Sequence, residues 1–199
     1  MSATPISKDP LARLAEKQSW ISPHAETSLQ TRIHDAVESL GGDTLRRALH
    51  GDWLHEPLHA VLTDVPVGSW TATVAFDAVG ALTGSKSLDT AADATLVLGL
   101  LGAVGAAVTG MNDWSEIKTA APRRIGLVHA ALNIAATGIF VASGVARVSK
   151  ARSTGRSLAA LGILLVSASA HLGGSLVYEH GIGVAPAPDK AEVTRDLQK

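Results

Sequence analysis

The sequence predicts an all-α fold, a bundle of four transmembrane helices preceded by a short amphipathic helical arm. The first supporting observation is a set of four apolar stretches of 21–23 residues, at 62–82, 91–111, 125–147 and 157–178. Each is long enough for a helix to cross a bilayer core about 30 Å thick. The second is that charged residues concentrate outside these stretches, and the third is that polar loops separate them.

The rest of the chain divides into further segments. Residues 1–27 are polar and interrupted by prolines, which predicts a flexible N-terminal segment. Residues 28–56 form the arm, because their apolar positions recur with a helical period, and Gly41 and Gly42 are expected to divide it into two helices. The remaining segments are the transmembrane domain, 57–184, and a flexible C-terminal tail, 185–199.

Composition excludes several classes of function. The chain contains no cysteine, which excludes disulfides, thiolate metal sites and iron–sulfur ligation by this chain. Its formal net charge of −1 gives no electrostatic case for a nucleic-acid partner. No nucleotide-binding loop, serine nucleophile elbow or zincin motif is present, so no familiar soluble-enzyme mechanism is supported and an enzymatic activity stays an open question.

Ionisable residues collect at one end of the predicted bundle. When four spans alternate in direction, the starts of the first and third spans share a membrane face with the ends of the second and fourth. The residues at that face are His59, Asp64, Asp113, His129, His171 and His180. Placing such groups in a bilayer is costly, so they usually face the protein interior and usually have a function. Asp77 lies near the opposite face, where a hydrogen bond with Asp93 would give it a structural role.

Two motifs, one at the start of the first predicted span and one at the end of the fourth, resemble the DUF2231 family of predicted bacterial membrane proteins. They are the segments 53–70 and 173–181. The family usually reads Gly-His-Pro-x-His-Pro where this chain has His55-Glu56-Pro57-Leu58-His59-Ala60, so His59 matches one family histidine and Glu56 replaces the other. The resemblance implies a four-helix membrane domain without an agreed biochemical function. Some relatives carry a Rieske-type iron–sulfur domain, which implies that any redox partner of this cysteine-free chain is a separate protein.

Three interpretations of the histidine-rich face remain open. In the first, His59, His129 and His171 bind haem b for electron transfer, and the glycines beside His171 leave room for the macrocycle. In the second, histidines and a carboxylate form a zinc or non-haem iron site. The members of that ligand set are His59, Asp64, His129, His171 and His180. In the third, the protein is a noncatalytic membrane subunit without a cofactor, and the polar cluster only locks the helices together.

The four spans also predict a location. We expect a multi-pass protein of the bacterial cytoplasmic (inner) membrane, with membrane lipid as a partner and a homo-oligomer as one possible assembly. An even number of spans places both termini on the same side of the membrane. Five of the 17 lysines and arginines lie on the other side, so the positive-inside rule predicts cytoplasmic termini.

Overall fold

The computed structural model describes residues 7–183 and contains six helices, with no strand in that range. They are α1 (Pro10–Glu16), α2 (Pro23–His50), α3 (Leu58–Thr83), α4 (Lys86–Ser115), α5 (Ala120–Val148) and α6 (Arg152–Tyr178). Helices α3 to α6 are long and apolar enough to cross a membrane, and each contains one of the predicted stretches. The predicted fold class is therefore confirmed. The tail at 185–199 lies outside the described residues, as does the start of the N-terminal segment.

The four spans form two antiparallel hairpins. Gly84 follows the last residue of α3 and adopts the left-handed conformation with φ of 70°, and the next residue, Ser85, caps α4. Helices α5 and α6 are joined by a short turn in which Lys150 has φ of 64°. Helix α3 packs most extensively on α4, and α5 on α6. The starts of α3 and α5 therefore meet the ends of α4 and α6 at the terminal end of the bundle, opposite the hairpin end.

An apolar layer occupies the middle of the bundle. Trp70 of α3 stacks on Phe140 of α5, with ring centres 4.1 Å apart and ring planes 7° apart. Gly162 of α6 permits this arrangement, because a Cβ atom there would lie only 2.7 Å from the Phe140 ring. Lipid is as apolar as the helix surfaces, so close packing rather than a hydrophobic driving force stabilises the contact. Tightly packed rings thus separate the two polar ends.

The arm α2 lies outside the bundle and bends at Gly42, whose φ of 56° and ψ of −150° interrupt the helix as the glycine pair predicted. The helix begins at Pro23, earlier than the predicted boundary at 28. The hydroxyl of Ser22 accepts a hydrogen bond from the backbone N–H of Ala25 at 3.2 Å, and proline suits the first helical position because it lacks an N–H to satisfy. The local capping sequence therefore sets this boundary.

Helix α1 lies within the segment that was predicted to be flexible. Its Ala12 and Ala15 are buried against Ile125 of α5 and Leu172 of α6. The carboxylate of Asp9 caps the helix by accepting from the backbone N–H of Leu11 at 2.9 Å. Two alanines give little hydrophobic signal in a sequence, yet their small side chains let a short helix pack closely on its neighbours. The position of α1 is therefore set by its contacts with α5 and α6 and not by its own sequence.

Candidate cofactor site

Two of the predicted histidines come together inside the terminal end. His59 lies in the first turn of α3, and His129 lies within α5. Their ring centres are 6.3 Å apart and their ring planes are nearly perpendicular, at 87°. We call these residues the histidine pair. Because α3 and α5 belong to different hairpins, the pair brings one imidazole from each hairpin into a shared space.

Backbone carbonyls fix the tautomer of both rings. His59 Nδ1 donates to the carbonyl oxygen of Ala106 at 2.9 Å, and His129 Nδ1 donates to that of Ser169 at 2.8 Å. A carbonyl only accepts, so each neutral ring carries its proton on Nδ1 and keeps a lone pair on Nε2. Metal-binding histidines are oriented by the same kind of bond. At His129 this lone pair accepts a hydrogen bond from the Asn133 amide at 3.1 Å.

Glycines accommodate the two rings. A Cβ atom on Gly110 of α4 would lie 2.7 Å from His59 Cε1, and one on Gly173 of α6 would lie 3.2 Å from His129 Cε1. The glycines near His171 were predicted to leave room for a macrocycle. Gly173 instead makes room for the imidazole of His129, so the glycines position the ligands themselves.

The other predicted ligands lie apart from the histidine pair. The His171 side chain is 61% exposed, and its Nε2 contacts Asp9 Oδ2 at 2.8 Å. His180 is buried beside Glu16, with Nε2 3.9 Å from the nearer carboxylate oxygen. Asp64 is exposed on the outer surface of α3. Five residues along a helix correspond to a rotation of about 140°, so Asp64 and His59 cannot share a face.

No complete metal site is assembled in the part of the chain that the structure describes. Within residues 7–183, no group of three or more His, Asp or Glu side chains is placed to hold a metal ion. His55 also stays apart, because its φ of 59° places it outside the helix that carries His59. The two residues therefore do not have the shared helical face that their spacing of four would allow.

Two carboxylates at the terminal end bind histidines of other elements. Asp113 accepts from His50 Nδ1 of α2 at 3.0 Å, and this hydrogen bond raises the pKa of His50 even though partial burial opposes protonation. Burial also disfavours the charged form of Asp9, but hydrogen bonds from Ser175, from the backbone of Leu11 and from His171 hold the pKa of Asp9 below its usual range. These pairs fasten the arm and α1 to the bundle.

The hairpin end contains an ionic cluster that the sequence did not reveal. Its carboxylates come from α3 and α4 and its guanidinium groups from α5 and α6. The members are Asp77, Asp89, Asp93, Arg147, Arg152 and Arg156. The predicted contact of Asp77 with Asp93 is indirect, because Arg147 Nη1 lies 3.0 Å from an oxygen of each. The sequence did contain a signal for this cluster, because its three aspartates and three arginines lie at the same predicted depth in the four spans.

Comparisons with known proteins give one match. No curated protein and no solved structure matches the chain. A family described as "Predicted membrane protein (DUF2231)" matches residues 55–186, which include α3 to α6 and therefore the histidine pair. The match covers well over half of the chain, and it confirms the resemblance seen in the two end motifs. The chain belongs to the DUF2231 family of predicted membrane proteins.

Proposed function

We propose that this membrane protein takes part in electron transfer and that the histidine pair holds one haem b. The separation of the two rings carries the proposal. A ligating imidazole nitrogen lies about 2 Å from the metal, and its ring centre lies about 1.1 Å further away. Two imidazoles that bound one metal would therefore have ring centres no more than about 6 Å apart. The observed separation is 6.3 Å.

The number of ligands favours haem over a single metal ion. Structural and catalytic zinc sites take three or four protein ligands. Within residues 7–183 the structure groups no such set, whereas haem supplies most of its own iron ligands and would need only one or two histidines from the chain. Two histidines on facing helices, each with a lone pair on Nε2, are a donor set that fits haem. When bound, haem would supply one-electron transfer.

The residues around the histidine pair would orient the two rings, and one of them covers a nitrogen that would bind the iron. The carbonyl oxygens of Ala106 and Ser169 hold the two rings in the tautomer that a ligand requires. The Asn133 amide must turn away from His129 Nε2 before this nitrogen can bind a metal. Breaking that hydrogen bond costs about 0.5–1.5 kcal/mol.

A noncatalytic role is the second candidate, and the same hydrogen bonds favour it. The His59 bond joins α3 to α4, and the His129 bond joins α5 to α6. The Ser169 hydroxyl adds a further link by donating to the carbonyl oxygen of His129 at 3.0 Å. In this alternative the histidines lock each hairpin and bind no cofactor.

The test is a visible spectrum of the full chain, expressed with a supplement of a haem precursor and purified in mild detergent. We expect a Soret band and, after reduction, α and β bands typical of a histidine-ligated haem. His59→Ala and His129→Ala should each abolish these bands. His171→Ala is the matched control, because His171 is exposed and contacts Asp9, and it should retain them.

Metal analysis of the same samples separates the alternatives. A colourless, metal-free protein that remains folded would overturn the cofactor proposal and support the structural role. Bound zinc or iron without haem bands would support the single-ion interpretation. Loss of the bands in His171→Ala alone would place the site elsewhere.

We also propose that the protein lies in the bacterial inner membrane with both termini in the cytoplasm. The support is the excess of basic residues at the terminal end over the hairpin end, where the five basic residues are Lys86, Arg147, Lys150, Arg152 and Arg156. Any redox partner would then be a separate protein, since this chain has no cysteine for an iron–sulfur cluster.

A further inference from the structure

Polar side chains lie on the outer surface of two of the four spans. On α4 every exposed residue between 94 and 111 is apolar, and so is every exposed residue of α5 between 130 and 145. The exposed polar residues at the same depths of α3 and α6 are Asp64, Thr71, Ser157, Ser167 and His171. Helices α3 and α6 pack on each other, so these side chains lie on one side of the bundle. We call this surface the α3–α6 face.

Asp64 lies within the apolar thickness of the bundle. Its neighbour Val65 faces Gly102 of α4, where a Cβ atom would lie 2.6 Å from the valine side chain. From that depth the exposed surface of α4 stays apolar as far as Met111, about 13 Å closer to the terminal end. Ionisable residues at such depths almost always face the protein interior and pair with one another. Within residues 7–183, no hydrogen bond or ion pair reaches the Asp64 carboxylate.

Two polar residues of α6 lie close to the depth of this carboxylate. Trp70 of α3 and Gly162 of α6 contact the same phenylalanine ring and therefore mark one depth in the bundle. Asp64 lies six residues from Trp70 toward the terminal end, or about 9 Å. Ser167 and His171 lie five and nine residues from Gly162 toward the same end, or about 7.5 and 13.5 Å. Asp64 thus lies between the depths of the two α6 residues.

A second copy of the chain would bring these groups together. In an isologous dimer whose two-fold axis runs along the membrane normal, α3 of each copy faces α6 of the other at equal depth. We propose that two copies associate through their α3–α6 faces, with Asp64 of each accepting hydrogen bonds from Ser167 and His171 of the other. A protonated histidine donates through both ring nitrogens, so His171 can keep its contact with Asp9. Gly68, one turn from Asp64, has no side chain to obstruct a close approach.

Disulfide cross-linking tests the interface, because the chain contains no cysteine of its own. Val67→Cys and Leu164→Cys are introduced into separate, differently tagged chains, which are co-expressed and oxidised with copper phenanthroline in the membrane. Both positions are exposed and differ in depth by about 1.5 Å, so we expect a cross-linked heterodimer. The matched control is Leu101→Cys with Ile134→Cys, two exposed positions on α4 and α5, and it should not cross-link.

A second measurement tests the carboxylate. Energy transfer between copies fused to two different fluorescent proteins, reconstituted in lipid vesicles, reports the dissociation constant of the dimer. Asp64→Leu should weaken association about tenfold, because the dimer loses two symmetric contacts and an interhelical hydrogen bond is worth a factor of about three. Asp64→Asn still accepts hydrogen bonds and should retain most of the affinity. Val104→Ala, on the outer surface of α4, is the control and should associate like the wild type.

Several outcomes would overturn the proposal. Cross-linking of the control pair as strong as that of the test pair would show random collision. The absence of a cross-link in both pairs would show that another protein or lipid covers the α3–α6 face. Unchanged association of Asp64→Leu would exclude the carboxylate from the interface. Circular dichroism of each variant checks that the helices remain intact.

Discussion

Arg147 carries a charge inside an apolar bundle because its guanidinium group is surrounded by acceptors. Its side chain is 4% exposed, and it donates to both carboxylate oxygens of Asp77 and to one of Asp93. Its Nε donates to the Ser143 hydroxyl at 3.2 Å. Removing an ion from water costs several kcal/mol, so such a residue is stable only where its partners are complete.

Removing one member of this buried pair should cost more than removing both. Arg147→Met leaves Asp77 without its main partner, and we expect a loss of about 3–5 kcal/mol in the free energy of unfolding. The double variant Arg147→Met with Asp77→Asn should recover much of this loss, because no uncompensated charge remains. The measurement is unfolding by sodium dodecyl sulfate in mixed micelles, followed by circular dichroism.

Lys86→Gln is the control for this series, since the Lys86 side chain is 93% exposed and its ion pair with Asp89, at 3.7 Å, is therefore weak. It should change stability by no more than about 0.5 kcal/mol. A double variant that is no more stable than Arg147→Met would show that the pair itself is not the origin of the loss.

At the scale of helices, glycines decide where two elements approach closely. Gly99 of α4 faces Trp70 of α3, and a Cβ atom at that position would overlap the indole ring. The indole Nε1 also donates to the carbonyl oxygen of Leu96 at 3.3 Å, so the ring has little freedom to move. Gly138 of α5 has no neighbouring atom within 4 Å of the position that a Cβ atom would take, so it makes no comparable contact.

The two glycines should therefore respond differently to the same substitution. Gly99→Ala should destabilise the protein by about 1–3 kcal/mol, the usual cost of overpacking a core. Gly138→Ala should be neutral or stabilising by up to about 1 kcal/mol, because alanine favours the helix. Thermal unfolding in detergent measures both. Equal effects would show that the α3–α4 contact is looser than the structure indicates.

The docking of α2 should depend on pH through its last residue. The hydrogen bond to Asp113 raises the pKa of His50 above its ordinary value of 6.5. A raised pKa means that docking favours the protonated form. The contribution is therefore complete below pH 6.5 and is lost as pH rises through the higher pKa of the docked arm.

Hydrogen exchange of the backbone amides at 43–50, corrected for the intrinsic rate at each pH, tests this dependence. Protection in the wild type should be constant below about pH 6.5 and should decrease as the pH rises above that value, as the charge on His50 is lost. His50→Gln should remove the pH dependence. A decrease of the same size in His50→Gln would assign it to another group.

At the scale of the whole molecule, the bundle has a polar layer at each end and an apolar layer between them. The histidine pair lies at the terminal end, the stacked rings of Trp70 and Phe140 lie in the middle, and the ionic cluster lies at the hairpin end. Because the cluster takes its acids from one hairpin and its arginines from the other, it joins the hairpins electrostatically. The histidine pair faces across the same junction.

This arrangement predicts a defined membrane topology. Reporter fusions after Lys199 and within residues 112–124 should report the same side, and a fusion at Ser153 should report the opposite side. Cytoplasmic signals at the first two positions are expected from the distribution of basic residues. The same signal at all three positions would rule out four alternating spans.

Much of the fold and part of the site could be predicted from the sequence. Hydropathy located all four spans, because a bilayer requires long apolar helices whatever their neighbours are. Because successive spans alternate in direction, the sequence placed His59 and His129 at one end of the bundle. The structure brings them together. The same rule could not distinguish them from His171, which lies at the same end on α6 but has an exposed side chain. Docked α1 was missed because two alanines carry little hydrophobic signal.

The sequence by itself determined the number of apolar spans, their order and the end of the bundle at which His59 and His129 lie. These properties follow from helix length, apolar composition and alternation of direction, and none requires knowledge of packing. Only the tertiary structure decided which ionisable groups meet. A side chain's direction depends on how its helix is rotated against its neighbours, which is set by close contacts such as Gly173 with His129 and Gly110 with His59. The same packing determines which charged side chains pair with one another, as Arg147 does with Asp77.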